Sequence, residues 1–322
     1  MSKFFPLKGD KIRNLALRIY HSIEEFEAPN KPVVTTGTFD GVHIGHRTII
    51  NHLNTIAEKI GGESVLLTFW PHPRQVLYQD TELKLIQTLE ERVESLADAG
   101  IEHLIVHPFT LDFSRKSSLE FIRDILVAQL QTEKLVIGYD HHFGRNREGS
   151  FEHLKEYAPV YGFDLEEIPA FDVDQVNVSS TKVREALLQG DIKTANKYLR
   201  GSFSLAGIVQ HGDQIGSKIG YPTANIKPTD SYQLIPSQGV YAVEVKAEGK
   251  MYKGMLNIGN RPTLDGKDLR IEVHLFGFEG NLYNKRLEIK FLHYLRADQK
   301  FDSLEALKEQ LHKDADHAKS VL

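Results

Sequence analysis

Apolar positions follow two rhythms along the chain, and the change between them divides it. Up to about residue 187, short apolar runs alternate with stretches of helical spacing. Val33 and Val34 open the first run. Ile49, Ile50, Leu53, Ile56, Ala57 and Ile60 then recur three and four residues apart, which predicts an amphipathic helix that Gly61 and Gly62 end. Residues 64–69 (SVLLTF) predict a buried strand that runs into a loop at Trp70, Pro71, His72 and Pro73. A helix over 90–99 closing at Gly100, a strand over 103–107, a helix over 118–130 and a strand over 135–137 complete the series. The mixed stretch 3–31 ahead of it reads as a short lead-in helix. Strands alternating with helices predict a parallel sheet, and ligands bind such sheets beyond the carboxyl ends of the strands. The polar loops 37–46, 70–73 and 138–149 fall there.

A connector over 188–200, with a short helix through Ala195 and Tyr198, leads to a different pattern. Stretches 241–245, 271–275 and 287–291 alternate with period two and are separated by glycine, asparagine or proline turns. This predicts antiparallel strands closed into a small barrel. At the end, Asp302 and Glu305 form a capping box, and Leu304, Leu307, Leu311, Ala315, Ala318 and Leu322 mark one face of a long helix on the barrel. The expected fold is thus α/β plus β: a Rossmann-like parallel-sheet domain at 1–187, the connector, and an antiparallel barrel with a long terminal helix at 201–322.

Composition narrows the chemistry. With 322 residues, 41% hydrophobic and 26% charged, the chain has the make-up of a globular protein with room for two cores. The formal net charge of -5, with no run of basic and aromatic residues, argues against a nucleic-acid partner. No uncharged apolar run approaches a membrane span. The absence of cysteine removes disulfides, thiolate nucleophiles and Cys-ligated metals, and is compatible with a cytoplasmic location. Self-association is left open by composition.

The densest polar stretch of the first module is 37–46 (GTFDGVHIGH), between the first strand and the first helix. Gly41 and Gly45 let the backbone approach a ligand, and the N–H groups and dipole at the helix start favour a phosphate. His43 and His46, three apart, can serve the same anion. A bare pair of histidines at this spacing also fits a structural metal site or plain surface residues; the strand, glycines and helix around it favour the anion. In 138–149 (GYDHHFGRNREG), Asp140 can accept from a hydroxyl, and Arg145 or Arg147 can meet a phosphate or simply face solvent. In 178–184 (VSSTKVR), Ser180 or Thr181 fits a plain helix cap, or joins Arg184, one turn on, in facing the same anion. In the second module, 207–225 holds several glycines and ends in PTAN. Thr223 and Asn225, two apart, would project their oxygens to one side of an extended segment and hold a hydrated magnesium ion on ATP phosphates. Residues 257–263 (NIGNRPT) read as a second polar turn. Glu272, in an apolar strand, is an outward carboxylate or, if it faces the loops, a base for an attacking hydroxyl.

Taken in order, GTFDGVHIGH, TFWPHP, GYDHHFG, SSTKVR, the glycine loop with PTAN, GVY, NIGNRPT, the strand glutamate and LRADQKFDSLEALKEQL resemble the bifunctional bacterial riboflavin kinase/FAD synthetase family across nearly the whole chain. The resemblance implies a C-terminal kinase that makes FMN from riboflavin and ATP, and an N-terminal adenylyltransferase that makes FAD and pyrophosphate from FMN and ATP, both with Mg2+. Carried over by position, His43 and His46 bind ATP phosphates, with Gly37, Phe39, Asp40 and Gly45 of the same motif and Ser180, Thr181 and Arg184 completing the nucleotide cradle. Asp140 stands where the family keeps an Asn or Asp. In the kinase, Gly212, Gly216, Lys218 and Gly220 form the nucleotide loop, Thr223 and Asn225 hold magnesium, Glu272 is the base, and Asn257, Arg261 and Arg296 lie on the flavin side. Three departures stand out: Ser217 replaces a common arginine, Asn284 a usual glycine, and Arg200-Gly201 alters the connector. A single-activity enzyme, a flavin-binding regulator and a cytidylyltransferase are the rival readings. Each fails to use some of the residues present.

Overall fold

A computed structural model describes residues 17–78, 82–138, 142–168, 178–212, 216, 219–263 and 266–322, with 147, 261–263 and 266–268 described by backbone alone. Asp140 and Lys218, both expected in sites, lie outside the described residues, as does Ser217. The chain forms two compact units, one of Met1–Leu83 with Leu89–Ser179 and one of Lys84–Thr88 with Ser180–Leu322.

The first unit is built on a six-stranded, wholly parallel sheet in the order β1-β4-β3-β2-β5-β6. Its strands are β1 (Arg18–Tyr20), β2 (Pro32–Thr36), β3 (Glu63–Trp70), β4 (His103–Pro108), β5 (Lys134–Gly138) and β6 (Asp164–Ile168). Successive side chains leave a strand on opposite faces, so Val33, Leu66 and Val136 join one core and Val34, Leu67 and Ile137 the other. On the first face, helix α1 (Ile44–Ile60) buries Ile50, Leu53 and Ile56, as its spacing predicts. Gly61 ends it in the left-handed conformation, φ 67°. Full burial of a leucine such as Leu53 stabilises the fold by about 2–3 kcal/mol.

Several local expectations change. The lead-in contains a strand, β1, where a helix was expected, besides a single 3-10 turn at Ile23–Glu25. Three residues are too few to show a period; pairing with His103, Leu104 and Ile105 makes them a strand. Pro73 opens the short helix α2 (Pro73–Leu77), so the loop after β3 is shorter than expected. α3 (Leu89–Asp98) matches its prediction. After β4 come α4 (Leu111–Ser114) and α5 (Ser118–Glu120), the latter capped by a Ser117–Glu120 box and continuing in wider, π-type turns over Phe121–Gln129. Helix α6 (Phe151–Tyr161) leads to β6, whose charged sequence gave no strand signal and which forms on β5.

The second unit opens with α7 (Ser180–Leu188) and α8 (Ile192–Leu199), followed by a closed antiparallel barrel in the order β10-β11-β8-β7-β12-β9. Its strands are β7 (Ser204–Gln210), β8 (Ala224–Pro228), β9 (Gly239–Ala247), β10 (Lys250–Thr263), β11 (Gly266–Leu275) and β12 (Arg286–Arg296). Gly207–Gln210, read as the start of a glycine loop, belongs to β7; a Cβ on Gly207 would lie 2.3 Å from Ile226. Residues 257–263 are strand, not turn: they continue β10 opposite β11, with the flanking Leu256 and Ile258 fully buried. The terminal helix α9 (Leu304–Val321) is capped by Ser303, whose Oγ accepts from Ala306 N–H at 3.1 Å, one residue later than the expected Asp302 box. Ala315 and Ala318 pack on Ala242 and Met255, while Leu304 of the expected stripe is 55% exposed. Asn284 and Arg200 adopt φ 62° and 52°, the left-handed region where glycine or asparagine is at ease.

Candidate active sites in the two units

In the first unit the segments after β2, β3, β4 and β5 surround a cavity of about 1150 Å³. The turn after β2 supplies Gly37, Thr38, Phe39 and His46. Phe39 has φ 48° and is buried, and a Cβ on Gly37 would meet its ring at 2.9 Å, so glycine there makes room for the turn. His43 is the N-cap of α1: its Nδ1 accepts from the His46 N–H at 3.4 Å, which leaves the proton on Nε2. The two imidazoles stack at 3.7 Å between centroids. His46 lines the cavity; His43 and Asp40 are buried behind it at 4% and 1% exposure. A Cβ on Gly45 would lie 3.1 Å from the Val178 carbonyl and 3.2 Å from the His43 ring, so a side chain there would push that ring aside.

The sequence reading missed part of this site. Arg92 of α3 is fully buried, donates to the Thr38 carbonyl at 3.0 Å and lies 5.7 Å from the Trp70 ring centre. A cation so placed fixes the turn ahead of the histidines. Its signal was an arginine on an apolar face, three residues after Leu89 and four before Leu96. The loop after β4 was also passed over, yet it brings Phe109, Phe113, Ser114, Arg115 and Lys116 to the cavity. Phe69, Phe109 and Phe113 meet with centroids 5.4–5.8 Å apart and form an aromatic wall. Arg74 and Arg145 line the same cavity.

Ser180, Thr181 and Arg184 lie on α7 in the second unit, where Arg184 Nε donates to the Lys84 carbonyl at 2.9 Å.

In the barrel, strand register assembles the second site. Asn225 on β8 faces Glu272 on β11, which faces Asn257 on β10, which faces Val240 on β9, beside Arg296 on β12. Residues directly opposite share a face of the sheet, so Asn225, Glu272 and Asn257 form one row. Asn257 is two residues beyond Met255, on the face that α9 covers. Here a cavity of about 260 Å³ is lined by Gly216, Thr223, Asn257, Glu272 and Arg296 among others. The Asn257 Oδ1 is buried with no hydrogen-bond partner among the described residues.

Glycines bring the loop before β8 close to this row. A Cβ on Gly212 would fall 2.0 Å from the Asn225 amide, and one on Gly216 2.2 Å from the Tyr221 carbonyl, whose N–H bonds Gly216 O at 2.8 Å. Gly220 has φ 88°. Tyr221 then ties the loop to α9, its hydroxyl 2.9 Å from His312 Nδ1, and burial raises its pKa. Arg296 lines the cavity with its donors engaged: Nε and an Nη bond the buried Asp314 carboxylate at 2.8 and 2.7 Å, and the other Nη bonds the Ala297 carbonyl at 2.9 Å. Arg261 occupies β10 opposite Asp268, and its side chain is outside the described atoms.

Two family models match successive parts of the chain, FAD synthetase over residues 25–182 and riboflavin kinase over 199–322. A bifunctional riboflavin kinase/FMN adenylyltransferase of Haemophilus influenzae is 36% identical over 288 residues, 89% of this chain and 93% of that protein. The chain belongs to that family. A Listeria monocytogenes member is 37% identical over 300 residues, covering 92% and 94%. A crystal structure described as a macrolide-efflux protein from Streptococcus pneumoniae has a TM-score of 0.85 and 30% identity over 94% of this chain and 98% of that one. Among the described residues, no helix is long and apolar enough to cross a membrane.

Proposed function

We propose that this family member runs two consecutive reactions, the barrel module phosphorylating riboflavin to FMN and the parallel-sheet module adenylylating FMN to FAD. The functional division is 1–187 for the adenylyltransferase, 188–200 for the connector and 201–322 for the kinase. The observation that carries the reading is the barrel row of Asn225, Glu272 and Asn257, a carboxylate between two amides beside a glycine loop.

In the kinase, Glu272 takes the proton from the 5′-hydroxyl of riboflavin as its oxygen attacks the γ-phosphorus of ATP, and ADP leaves. Gly212, Gly216, Lys218 and Gly220 surround the nucleotide phosphates, and Asn257, Arg261 and Arg296 border the flavin. Asn257 offers its unpartnered oxygen, and Arg296 acts through its bond to Asp314 by holding α9 against the cavity. Neutral oxygens from Thr223 and Asn225 suit magnesium shared with phosphates better than an all-protein cage, and no cluster of three His, Asp or Glu forms among the described residues. Bound there, Mg2+ supplies neutralisation of phosphate charge.

In the adenylyltransferase, an FMN phosphate oxygen attacks the α-phosphorus of ATP and pyrophosphate leaves. The α1 N-terminus and His46 stabilise the charge on the phosphoryl oxygens, with His43 holding His46 in place by stacking. Gly37, Phe39, Asp40 and Gly45 shape that turn, Ser180, Thr181 and Arg184 bind nucleotide, and Asp140 receives a substrate hydroxyl. The aromatic wall of Phe69, Phe109 and Phe113 gives the isoalloxazine a surface to rest on. Mg2+ is the expected companion of ATP here too, and the cytoplasm is the expected compartment.

Chromatography of the products from riboflavin, ATP and Mg2+, and separately from FMN, ATP and Mg2+, tests the reading. FMN followed by FAD in the first mixture and FAD in the second is expected. FMN alone, or FAD from supplied FMN alone, would reduce the chain to one activity, and no product would favour a regulator.

A further inference from the structure

The proposed reactions oblige one chain to bind riboflavin in one cavity and FMN in another, although the two flavins differ only by a terminal phosphate. A site that must take FMN therefore needs a group that reads a dianion. In the first cavity the described lining residues include Arg74, Arg115, Lys116 and Arg145 and no carboxylate. Arg115 is paired with Asp112 at 2.9 Å. Lys116 and Arg145 make no ion pair among the described residues. Glu24, Glu120 and Asp124 feel the charge of Lys116 without closing on it.

The backbone ties these two cavity-lining residues together. The Arg145 N–H donates to the Lys116 carbonyl at 2.8 Å, and the Ser118 N–H donates to the Glu148 carboxylate at 3.0 Å. Between them Gly144, at φ 72°, lies so close to the 117–118 backbone that a Cβ would meet Ser118 N at 2.7 Å. The loop after β4 and the loop after β5 are thus locked into one rim, next to Phe113 of the aromatic wall. Lys116 is half-buried and Arg145 exposed.

We propose that Lys116 and Arg145 form the subsite that binds the terminal phosphate of FMN and makes the adenylyltransferase select phosphorylated over unphosphorylated flavin. The inference rests on the assignment of FMN adenylylation to this cavity. Each cation donates to the phosphate in a charge-assisted hydrogen bond, a contact riboflavin cannot make. The aromatic wall serves both flavins alike, so discrimination falls to the rim.

The test uses the full chain and follows FAD formation from FMN, with 5′-deoxyriboflavin as a competitor that carries neither the phosphate nor the hydroxyl a kinase could phosphorylate. For Lys116→Ala with Arg145→Ala, the KM for FMN should rise about 100-fold, at about tenfold for each charge-assisted bond lost. The inhibition constant of the competitor and the KM for ATP should stay within about twofold. Lys116→Arg in the Arg145→Ala background should recover most of the loss that Lys116→Ala adds there. Equal weakening of FMN and competitor would show a structural role, and a rise in the KM for ATP alone would show that the cations serve the nucleotide; either overturns the proposal. So would an unchanged KM for FMN. A wild-type chain that makes no FAD from FMN would instead overturn the assignment of the cavity, and the subsite with it.

Discussion

Among their described lining residues, the two cavities differ in the sign of their charge. In the parallel-sheet unit, Arg74, Arg115, Lys116 and Arg145 face a cavity with no carboxylate among its described lining residues. In the barrel, the described lining residues include Glu272, Asp298 and Asp314 and a single arginine, Arg296, which Asp314 already engages. An acidic pocket suits a neutral flavin whose hydroxyl must lose a proton, and it admits a triphosphate only together with a cation. A basic pocket suits a flavin that arrives with its own phosphate. The order of the two proposed reactions is consistent with this contrast in side chains.

The largest expected effects would separate the two chemistries. Glu272→Gln should lower riboflavin phosphorylation by about 10²–10⁴-fold, the usual contribution of a general base, with FMN-to-FAD conversion retained. His43→Ala with His46→Ala should do the reverse, lowering FAD formation by about 10²–10³-fold through lost phosphoryl stabilisation. Separate product assays on each variant check both, and matched losses in the two assays would sink the division of labour.

A smaller effect concerns screening. Raising ionic strength from about 0.05 to 0.2 M should raise the KM for FMN in adenylylation several-fold, while the KM for riboflavin in phosphorylation changes by less than about twofold, because riboflavin is uncharged. Equal salt dependence would remove the charge contrast from the explanation.

The smallest effect is on stability. In the first unit burial holds the pKa values of His103 and His107 below the usual 6.5, although the Glu63 carboxylate, 2.8 Å from His103 Nε2, opposes the shift. The unfolded chain therefore takes up protons at these positions before the folded one does. Their stabilisation is complete above pH 6.5 and declines as the pH falls from there toward the lowered folded values. Melting at pH 5.5 should occur below that at pH 7.5, and His103→Gln should reduce the difference. A pH-independent melting temperature in the native chain would contradict the buried-neutral description.

How much was legible in advance varies with the range of the forces involved. Helix α1 was readable because six apolar residues at helical spacing dictate one buried face, and the glycine after it can take φ 67°. The histidine turn was readable because capping is local: His43 and His46 interact over three residues. Strand β1 was not, since three residues carry no period and depend on pairing with β4, more than eighty residues away. Arg92 was hidden for the opposite reason, being a charged residue in a position whose pattern says core.

By itself, then, the sequence settled the strongly periodic elements, the change from parallel sheet to barrel, and the order of the motifs, all matters of neighbouring residues and their spacing. The tertiary structure decided which motifs meet. Asn257 read as part of a turn and Glu272 as an outward strand residue; antiparallel register alone sets them in one row with Asn225. Lys116 and Arg145 are likewise distant in sequence, and a glycine that permits close backbone approach joins their loops. Register and loop contact are long-range choices fixed by burial on both faces of a sheet, and no short window of sequence contains them.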